Sequence, residues 1–211
     1  MQPPADWANN IDVVLQAGLH GSTLAPVLGA SDLERRSYAQ TFADDFGHRR
    51  AVDAPLLSWV LKVEPWTDPV QGRVDAALWA ALRTGDDPLS LIDTDDGAVA
   101  PGARAGGIEV WTEIELASLQ ALWWHARRSP EVRGRALSQA RWLMAELQPD
   151  NGTNRPWALA TFAELATAGD TDAGLYADTL LHNCQVSMGR PDLLSTVILL
   201  DASASLRERR G

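Results

Sequence analysis

Cysteine and long apolar runs are scarce in this chain. Its 211 residues include a single cysteine, Cys184, so no disulfide can form within it. The opening MQPPADWANN has neither the basic nor the apolar segment of a secretory signal. The most apolar stretch, LLSTVILLDASASL, is interrupted by Asp201 and is shorter than the roughly 18 residues that a membrane span needs. We therefore expect a cytoplasmic protein with no membrane span.

Positive charge is also scarce. The chain has 18 Lys and Arg against 28 Asp and Glu, which gives a net charge of -10 and a pI near 4.7. The longest basic run is the C-terminal RERR, so no basic surface is offered to a phosphate backbone. Glycine-rich nucleotide-binding motifs and the GxSxG motif of serine hydrolases are absent too. We expect neither nucleic acid nor an anionic membrane as a partner.

Strand patterns are nearly absent, whereas apolar residues recur at helical spacing throughout. An apolar content of 45% is typical of a globular protein with a real core. Three sequence signals mark the starts of helices. They are a capping box of Ser31 and Glu34, and the pairs Asp68-Pro69 and Ser129-Pro130. The sequence predicts an all-α protein with about nine helices, near residues 6–17, 32–46, 53–63, 69–83, 108–127, 130–147, 156–168, 173–188 and 191–207.

The segment 84–107 is the longest break between predicted helices. Its Gly, Pro and Asp content disfavours an α-helix. Five closely spaced helices follow it, joined by the short connections that antiparallel neighbours require. We expect residues 1–67 to form an irregular helical region and residues 68–211 a region of helical hairpins, together one compact unit.

The stretch 135–157 places Trp142 and Leu143 before Gln148, Gly152 and Trp157. It resembles the QW repeat of the squalene and hopene cyclases, and more broadly the α/α-toroid superfamily that includes the protein prenyltransferases. The resemblance implies that the Gln and Trp tie the end of one helix to the start of the next. It departs from the repeat in its spacings, and an ordinary turn between helices is the alternative interpretation.

The resemblance extends over about residues 108–207 and implies an α/α toroid of helical hairpins. A complete toroid needs six hairpins, about twelve helices, and this sequence predicts about nine. We therefore expect an incomplete α/α-toroid-like array, unless a second chain closes the ring.

An acidic motif lies in the long break. Asp93, Thr94, Asp95 and Asp96 spell DxDD, which resembles the acid motif of class II terpene cyclases. In that family the middle Asp donates the proton that starts cyclisation, so the resemblance implies a catalytic role for Asp95. Such a donor must be kept protonated by burial and neighbouring charge. A solvated acidic turn and a cation-binding loop are the alternatives.

The stretch His182-Asn183-Cys184 resembles the His-Thr-Cys of prenyltransferase β subunits, where the His binds zinc. The required thiolate from an earlier hairpin is missing, because Cys184 is the only cysteine. Asp178 and His182 share a helix face, but a catalytic zinc needs three protein ligands. We expect no metal site and predict no cofactor.

The predicted helix 108–127 carries the richest set of candidates. At 100° per residue, Glu109, Glu113, Gln120 and Arg127 fall on one polar side, and apolar residues cover nearly all the rest. Within that apolar surround lies a stripe formed by Trp111, Glu115, Ser118, Leu122 and His125. Buried charges need partners, so the stripe either completes a core network or lines a cavity. Candidate catalytic residues are Glu115, His125 and Asp95; candidate ligand-binding residues are Trp111, Ser118, Trp123 and Trp157.

Three functions remain open at this point. The first is a noncatalytic helical scaffold that binds a protein partner or itself, most simply as a homodimer. The second is a small enzyme that acts on an isoprenoid-like or other apolar ligand by acid catalysis from Asp95 or Glu115, with Trp rings stabilising a cation. The third is a carbohydrate-active α/α barrel, which needs two carboxylates across a Trp-lined cleft.

Overall fold

The computed structural model describes residues 6–92, 94, 97–151 and 154–208. These residues contain no strand, and the predicted all-α class is confirmed. The helices in the described part are α1 (Trp7–Leu19), α2 (Asp32–Thr41), α3 (Ala54–Leu61), α4 (Val74–Thr84), α5 (Ile108–His125), α6 (Pro130–Glu146), α7 (Leu159–Thr167), α8 (Thr171–Val186) and α9 (Leu193–Glu208). Short 3-10 helices occupy Ala25–Gly29, Ala51–Asp53, Pro88–Leu91, Pro101–Gly106 and Pro149–Asn151. No helix in the described residues is long and apolar enough to cross a membrane.

Two of the three predicted helix starts are confirmed. The Ser31 amide donates to Glu34 Oε2 at 2.9 Å, and the Glu34 amide donates back to Ser31 Oγ at 3.4 Å, which completes the capping box of α2. Ser129 Oγ accepts from the Val132 amide at the start of α6. The prediction of a helix from Pro69 was wrong, because a turn with Gly72 at φ 73° intervenes and α4 begins only at Val74.

The end of α2 was also predicted incorrectly. The helix stops at Thr41 instead of continuing to Phe46. Asp44 is the physical reason: its carboxylate accepts the backbone N–H groups of Phe46 at 3.0 Å and His48 at 2.8 Å, and thereby folds the chain into a turn. Phe46 consequently lies outside α2 and is exposed.

Helix α5 lies at the centre of the described structure. It packs against α4, α6 and α7 and against the 3-10 helix at residues 101–106. From Trp111 to His125 all but one of its residues are buried, the exception being Glu113. The helix is therefore buried on more than one side, as its nearly continuous apolar surface requires.

The N-terminal helices cover the last helix. Helix α1 packs along α9, and α3 contacts both α4 and α9. An apolar flank of the last helix would favour self-association if it were left uncovered. Leu194, Val197 and Ile198 are at most 1% exposed, and α1 packs along this helix within the same chain. This flank therefore gives no support to a homodimer. The homodimer stays a prediction.

The contact between α1 and α9 depends on Gly18. A Cβ atom at this position would lie 2.3 Å from Thr196 Oγ1 and 3.1 Å from Thr196 Cγ2. Thr196 cannot easily turn away, because its hydroxyl donates to the Asp192 carbonyl at 2.7 Å. The two helices can approach this closely only because residue 18 has no side chain.

We expect Gly18→Ala to lower the free energy of unfolding by about 1 to 3 kcal/mol, the usual range for overpacking. The loss should appear although alanine favours a helix over glycine by about 1 kcal/mol. Gly134→Ala on α6 is the matched control, because that glycine is exposed with nothing within 4 Å of an added Cβ, and it should be neutral or stabilising. Urea unfolding measures both, and equal stability of Gly18→Ala and the wild type would contradict the described packing.

Candidate functional site

Gln120 lies on the polar side of α5, but it is buried and does not face solvent. This side chain is 3% exposed. Its Nε2 donates to Asp201 Oδ2 at 2.6 Å, and its Oε1 accepts from the Ala158 amide at 2.9 Å. Gln120 thus joins the central helix to α9 and to the start of α7.

Asp201 also accepts hydrogen bonds from two tryptophan side chains. Its carboxylate accepts the indole N–H of Trp59 on α3 at 3.1 Å and that of Trp124 on α5 at 3.0 Å. The two indole rings meet edge to face, with centroids 5.3 Å apart and planes at 67°. A single carboxylate on α9 therefore fixes the orientation of two tryptophans that are far apart in sequence.

The Asp201 carboxylate is stabilised mainly by hydrogen bonds from uncharged donors. Burial raises the pKa of its carboxyl to about 6, although the hydrogen bonds from Gln120, Trp124 and Trp59 and the charge of Arg127 favour the ionised form. The Arg127 guanidinium lies over the Trp124 ring at 4.1 Å and pairs with Glu208 at 2.8 Å. At neutral pH Asp201 is ionised and held in place from several sides.

Trp59, Trp124 and Asp201 line an open cleft of about 430 Å³, which we call the tryptophan cleft. Clefts of roughly 300 to 1,000 Å³ with apolar walls and few polar groups are typical of small-molecule sites. The apolar part of the wall comes from Leu15, Leu28, Val60 and Leu200. The polar part of the lining includes Lys62, Arg83, Arg207 and Glu208.

Lys62 holds an unusual backbone position in this lining. It is the residue that ends α3, with φ 55° and ψ 43° in the left-handed region. Ala158 is the only other non-glycine residue with positive φ in the described part of the chain. Backbone strain of this kind is concentrated at functional sites in proteins.

A second apolar cleft of about 360 Å³ borders α3 and α4, and we call it the proline cleft. Its lining includes Pro55, Pro65, Trp66 and Pro69, with several small alanines. Its described lining contains no buried carboxylate that fixes the aromatic ring. The tryptophan cleft is therefore the better-defined site of the two.

Glu115, a predicted catalytic residue, is completely buried and fully hydrogen-bonded. Its oxygens accept from the amides of Val99 at 2.9 Å and Ala100 at 2.8 Å. Trp111 Nε1 donates at 3.1 Å and Gln139 Nε2 at 3.0 Å. Burial raises the pKa of Glu115, and the four hydrogen bonds oppose the rise. Because a carboxylate has about four lone-pair positions, this arrangement leaves none for a ligand.

The structure does not bring the rest of the predicted stripe to Glu115. His125 lies ten residues along the same helix, about 15 Å away, and its Nε2 lies 3.0 Å from the Leu78 carbonyl. Burial lowers the pKa of His125, so a neutral ring that donates to this carbonyl fits the geometry. Ser118 is buried, and its hydroxyl has no hydrogen-bond partner among the described residues.

The remaining predicted ligand-binding residues lie apart from one another. Trp123 is buried beneath the Arg133 guanidinium, which lies 5.1 Å from the ring centroid. Trp157 is 3% exposed and lies directly before the residue that caps α7. Trp111 packs against Trp142 with centroids 5.6 Å apart. These residues contribute to three different parts of the core.

The tie predicted for Gln148 is made by other residues. Gln148 is exposed and has no hydrogen bond with another described residue. Tyr176 Oη donates instead to the Leu147 carbonyl at the end of α6, at 2.9 Å, and Gln120 satisfies the amide that precedes α7. The orphan groups at these helix ends are satisfied as expected, but by side chains from α8 and α5.

The acid motif lies mostly outside the described residues, which include neither Asp93, Asp95 nor Asp96. Arg135 of α6, which is 7% exposed, holds Thr94 of the motif and the two residues that follow it. The guanidinium donates to the carbonyls of Thr94 at 3.2 Å, Gly97 at 3.1 Å and Ala98 at 3.2 Å. Thr94 and the backbone that directly follows the motif are therefore fastened to α6.

Glu113 of α5 is the centre of a network of arginines and carboxylates. It accepts from Arg50 at 2.8 Å and Arg155 at 3.1 Å. Arg50 also forms a two-bond pair with Asp53, and Arg155 pairs with Asp44 at 3.2 Å. Burial would raise the pKa of Glu113, but the two arginines hold it below its ordinary value. The network fastens segment 44–53 to the central helix.

The metal candidates do not converge. Asp178 and His182 are exposed on α8, whereas Cys184 is buried with its thiol donating to the Leu181 carbonyl at 3.3 Å. Burial raises the pKa of Cys184 to about 12, so a thiolate is disfavoured. Residues 6–92, 94, 97–151 and 154–208 contain no group of three or more His, Cys, Asp or Glu that could hold a metal ion.

Comparison with known proteins gave no match: no family model, no curated protein and no solved structure is similar to this chain. The tryptophan cleft and the Glu115 network each bring a buried carboxylate into contact with indole N–H groups.

Sequence reasoning missed Asp201 and Trp59. Asp201 was interpreted only as an interruption of an apolar run, although a carboxylate inside such a helix needs a buried partner. That requirement is the sequence signal that could have identified Asp201 as a buried polar centre. Its partner Trp59 is 142 residues away, and nothing in the local pattern of α3 indicates the pairing.

Proposed function

We propose that this protein is a noncatalytic helical binding protein whose tryptophan cleft takes a small apolar ligand. The observation that carries the proposal is the Asp201 carboxylate, which fixes Trp59 and Trp124 in the wall of the tryptophan cleft beside its apolar residues. Rigid indole rings provide a large contact area with little loss of conformational entropy on binding. A preformed cleft of this kind is suited to binding.

The engagement of the buried carboxylates supports a noncatalytic role. A general acid must come within hydrogen-bond reach of the group that it protonates. Glu115 already accepts four hydrogen bonds, and Asp201 accepts from three side chains. The acid-catalysis alternative depends on Asp95, which lies outside the described residues.

For the architecture we propose an incomplete α/α-toroid-like array, with the protein related to the α/α toroids. The resemblance of residues 108–207 and the succession of α5 to α9 with short connections support it. Self-association and a protein partner belong to the same proposal as further possibilities for the helical scaffold. They do not depend on the tryptophan cleft.

We expect the neutral fluorophore N-phenyl-naphthylamine to bind the wild-type protein at one site. Trp59→Leu should weaken binding about tenfold or more, because the ligand loses an aromatic wall worth at least about 1.4 kcal/mol. Fluorescence titration measures the dissociation constant.

The matched control is Trp66→Leu, which removes a half-buried tryptophan from the proline cleft instead. It should change the affinity by less than about twofold. Absence of saturable binding to the wild type, or loss of binding in Trp66→Leu with Trp59→Leu unaffected, would contradict a ligand site in the tryptophan cleft.

A further inference from the structure

We propose that the ligand of the tryptophan cleft is a monoanion, with its apolar body against Trp59 and Trp124 and its anionic group on the Lys62 ammonium. This inference rests on the proposed function and adds the chemical class of the ligand. It is carried by the charges around the cleft and by the backbone of Lys62.

The arginines at the cleft are already neutralised by acidic partners. Arg83 pairs with Glu64 at 3.2 Å and Arg207 pairs with Asp12 at 2.8 Å. Arg127, which stacks on Trp124, pairs with Glu208 at 2.8 Å. These three guanidinium groups have their charges balanced before any ligand arrives.

Lys62 is different, because it has no ion-pair partner among the described residues. Its side chain is exposed and belongs to the lining of the cleft. The Asp201 carboxylate in the same cleft does not take this role, since it is 3% exposed and its oxygens accept from Trp59, Trp124 and Gln120. Among the described residues of the lining, Lys62 is thus the cationic side chain without an ion-pair partner.

The backbone at Lys62 points in the same direction. Helices commonly end in a left-handed residue, and glycine is favoured there because it has no Cβ. Here the position holds the only lysine of the chain, whose other Lys and Arg positions are all arginine. Its φ of 55° carries a conformational penalty that glycine would avoid. A residue that is unfavourable for the fold at the edge of a cleft is expected when its side chain serves binding.

A single ammonium also limits the charge of the ligand. Phosphate dianions are usually held by several donors, such as paired arginine forks or helix N-termini. Lys62 supplies one compact charge, and the neighbouring guanidinium groups are occupied. One carboxylate on an apolar body is the ligand chemistry that this balance fits.

Calorimetric titration with three probes of equal chain length tests the inference: decanoate, decanol and decyltrimethylammonium, each below its micellar concentration. The wild type should bind decanoate about tenfold more tightly than decanol, a difference of ~1.4 kcal/mol, and decyltrimethylammonium most weakly. Lys62→Gly should remove the preference, so that the ratio of the decanoate affinity to the decanol affinity falls from about ten to about one. Lys62→Arg should retain most of the preference for decanoate.

The same Lys62→Gly variant should unfold at a denaturant midpoint equal to or above that of the wild type, because glycine relieves the left-handed backbone. Loss of anion preference without loss of stability separates binding from folding. Equal affinity for decanoate and decanol in the wild type, or a preference that survives in Lys62→Gly, would overturn the inference and leave the proposed function standing. If no probe binds, the proposed function itself fails.

Discussion

Replacing Glu115 with alanine is expected to lower the free energy of unfolding by about 3 to 5 kcal/mol, the range found when one partner of a buried charged group is removed. The amides of Val99 and Ala100 would lose their acceptor inside the protein. Trp111 and Gln139 would lose theirs as well. Each unsatisfied buried donor costs about 1 to 3 kcal/mol, and a cavity adds to the loss.

Glu115→Gln should fall between the wild type and Glu115→Ala. Each carboxylate oxygen accepts two of the four hydrogen bonds, so the amide oxygen of glutamine preserves one half of the network while its NH₂ group faces donors. Glu109→Ala is the control, because Glu109 is exposed on the same helix and should change stability by no more than about 0.5 kcal/mol.

Urea unfolding of the wild type and the three variants measures these differences. A loss of about 1 kcal/mol or less for Glu115→Ala would mean that water reaches the position. Glu115 would then line a cavity, and acid catalysis by this residue would again be open.

Asp201 is expected to make the stability of the protein depend on pH. Its pKa rises from an ordinary value of 3.8 to about 6 in the folded protein, mainly because the carboxylate is desolvated. The folded state therefore binds the proton more tightly than the unfolded chain. From this group, stability increases as the pH falls through about 6 toward 4, by up to about 3 kcal/mol.

The difference between the wild type and Asp201→Asn isolates this contribution, since asparagine does not titrate and the other ionisable groups are common to both proteins. The wild type should gain up to about 3 kcal/mol relative to Asp201→Asn between about pH 8 and about pH 4. Parallel stability curves over this range would show that Asp201 is not desolvated as described.

The helices were predictable where local signals and the required packing agree. Helix α6 begins at Pro130 because Ser129 caps it and the proline occupies the first turn. The end of α2 was not predictable, because Asp44 folds the chain by accepting amides that the helical pattern had assigned to a further turn. Competing side-chain hydrogen bonds of this kind have no periodic signal.

The burial of Glu115 could be inferred from its place in an apolar surround on α5. Its partners could not, because the amides of Val99 and Ala100 come from an irregular segment whose path depends on Arg135 and α6. The tryptophan cleft was even harder to predict from the sequence. It needs Trp59, Trp124 and Asp201 from three helices, and only the packing of α3 and α9 against the rest of the chain brings them together.

The indole N–H resonances in heteronuclear NMR spectra test the proposed ligand site most directly. The chain has nine tryptophans, and Trp→Phe variants can assign their signals. Titration with decanol should shift the resonances of Trp59 and Trp124, which share the Asp201 carboxylate, and leave those of Trp66 and Trp142 in place. Saturating shifts confined to Trp66, or no shift at any tryptophan, would contradict a ligand site in the tryptophan cleft.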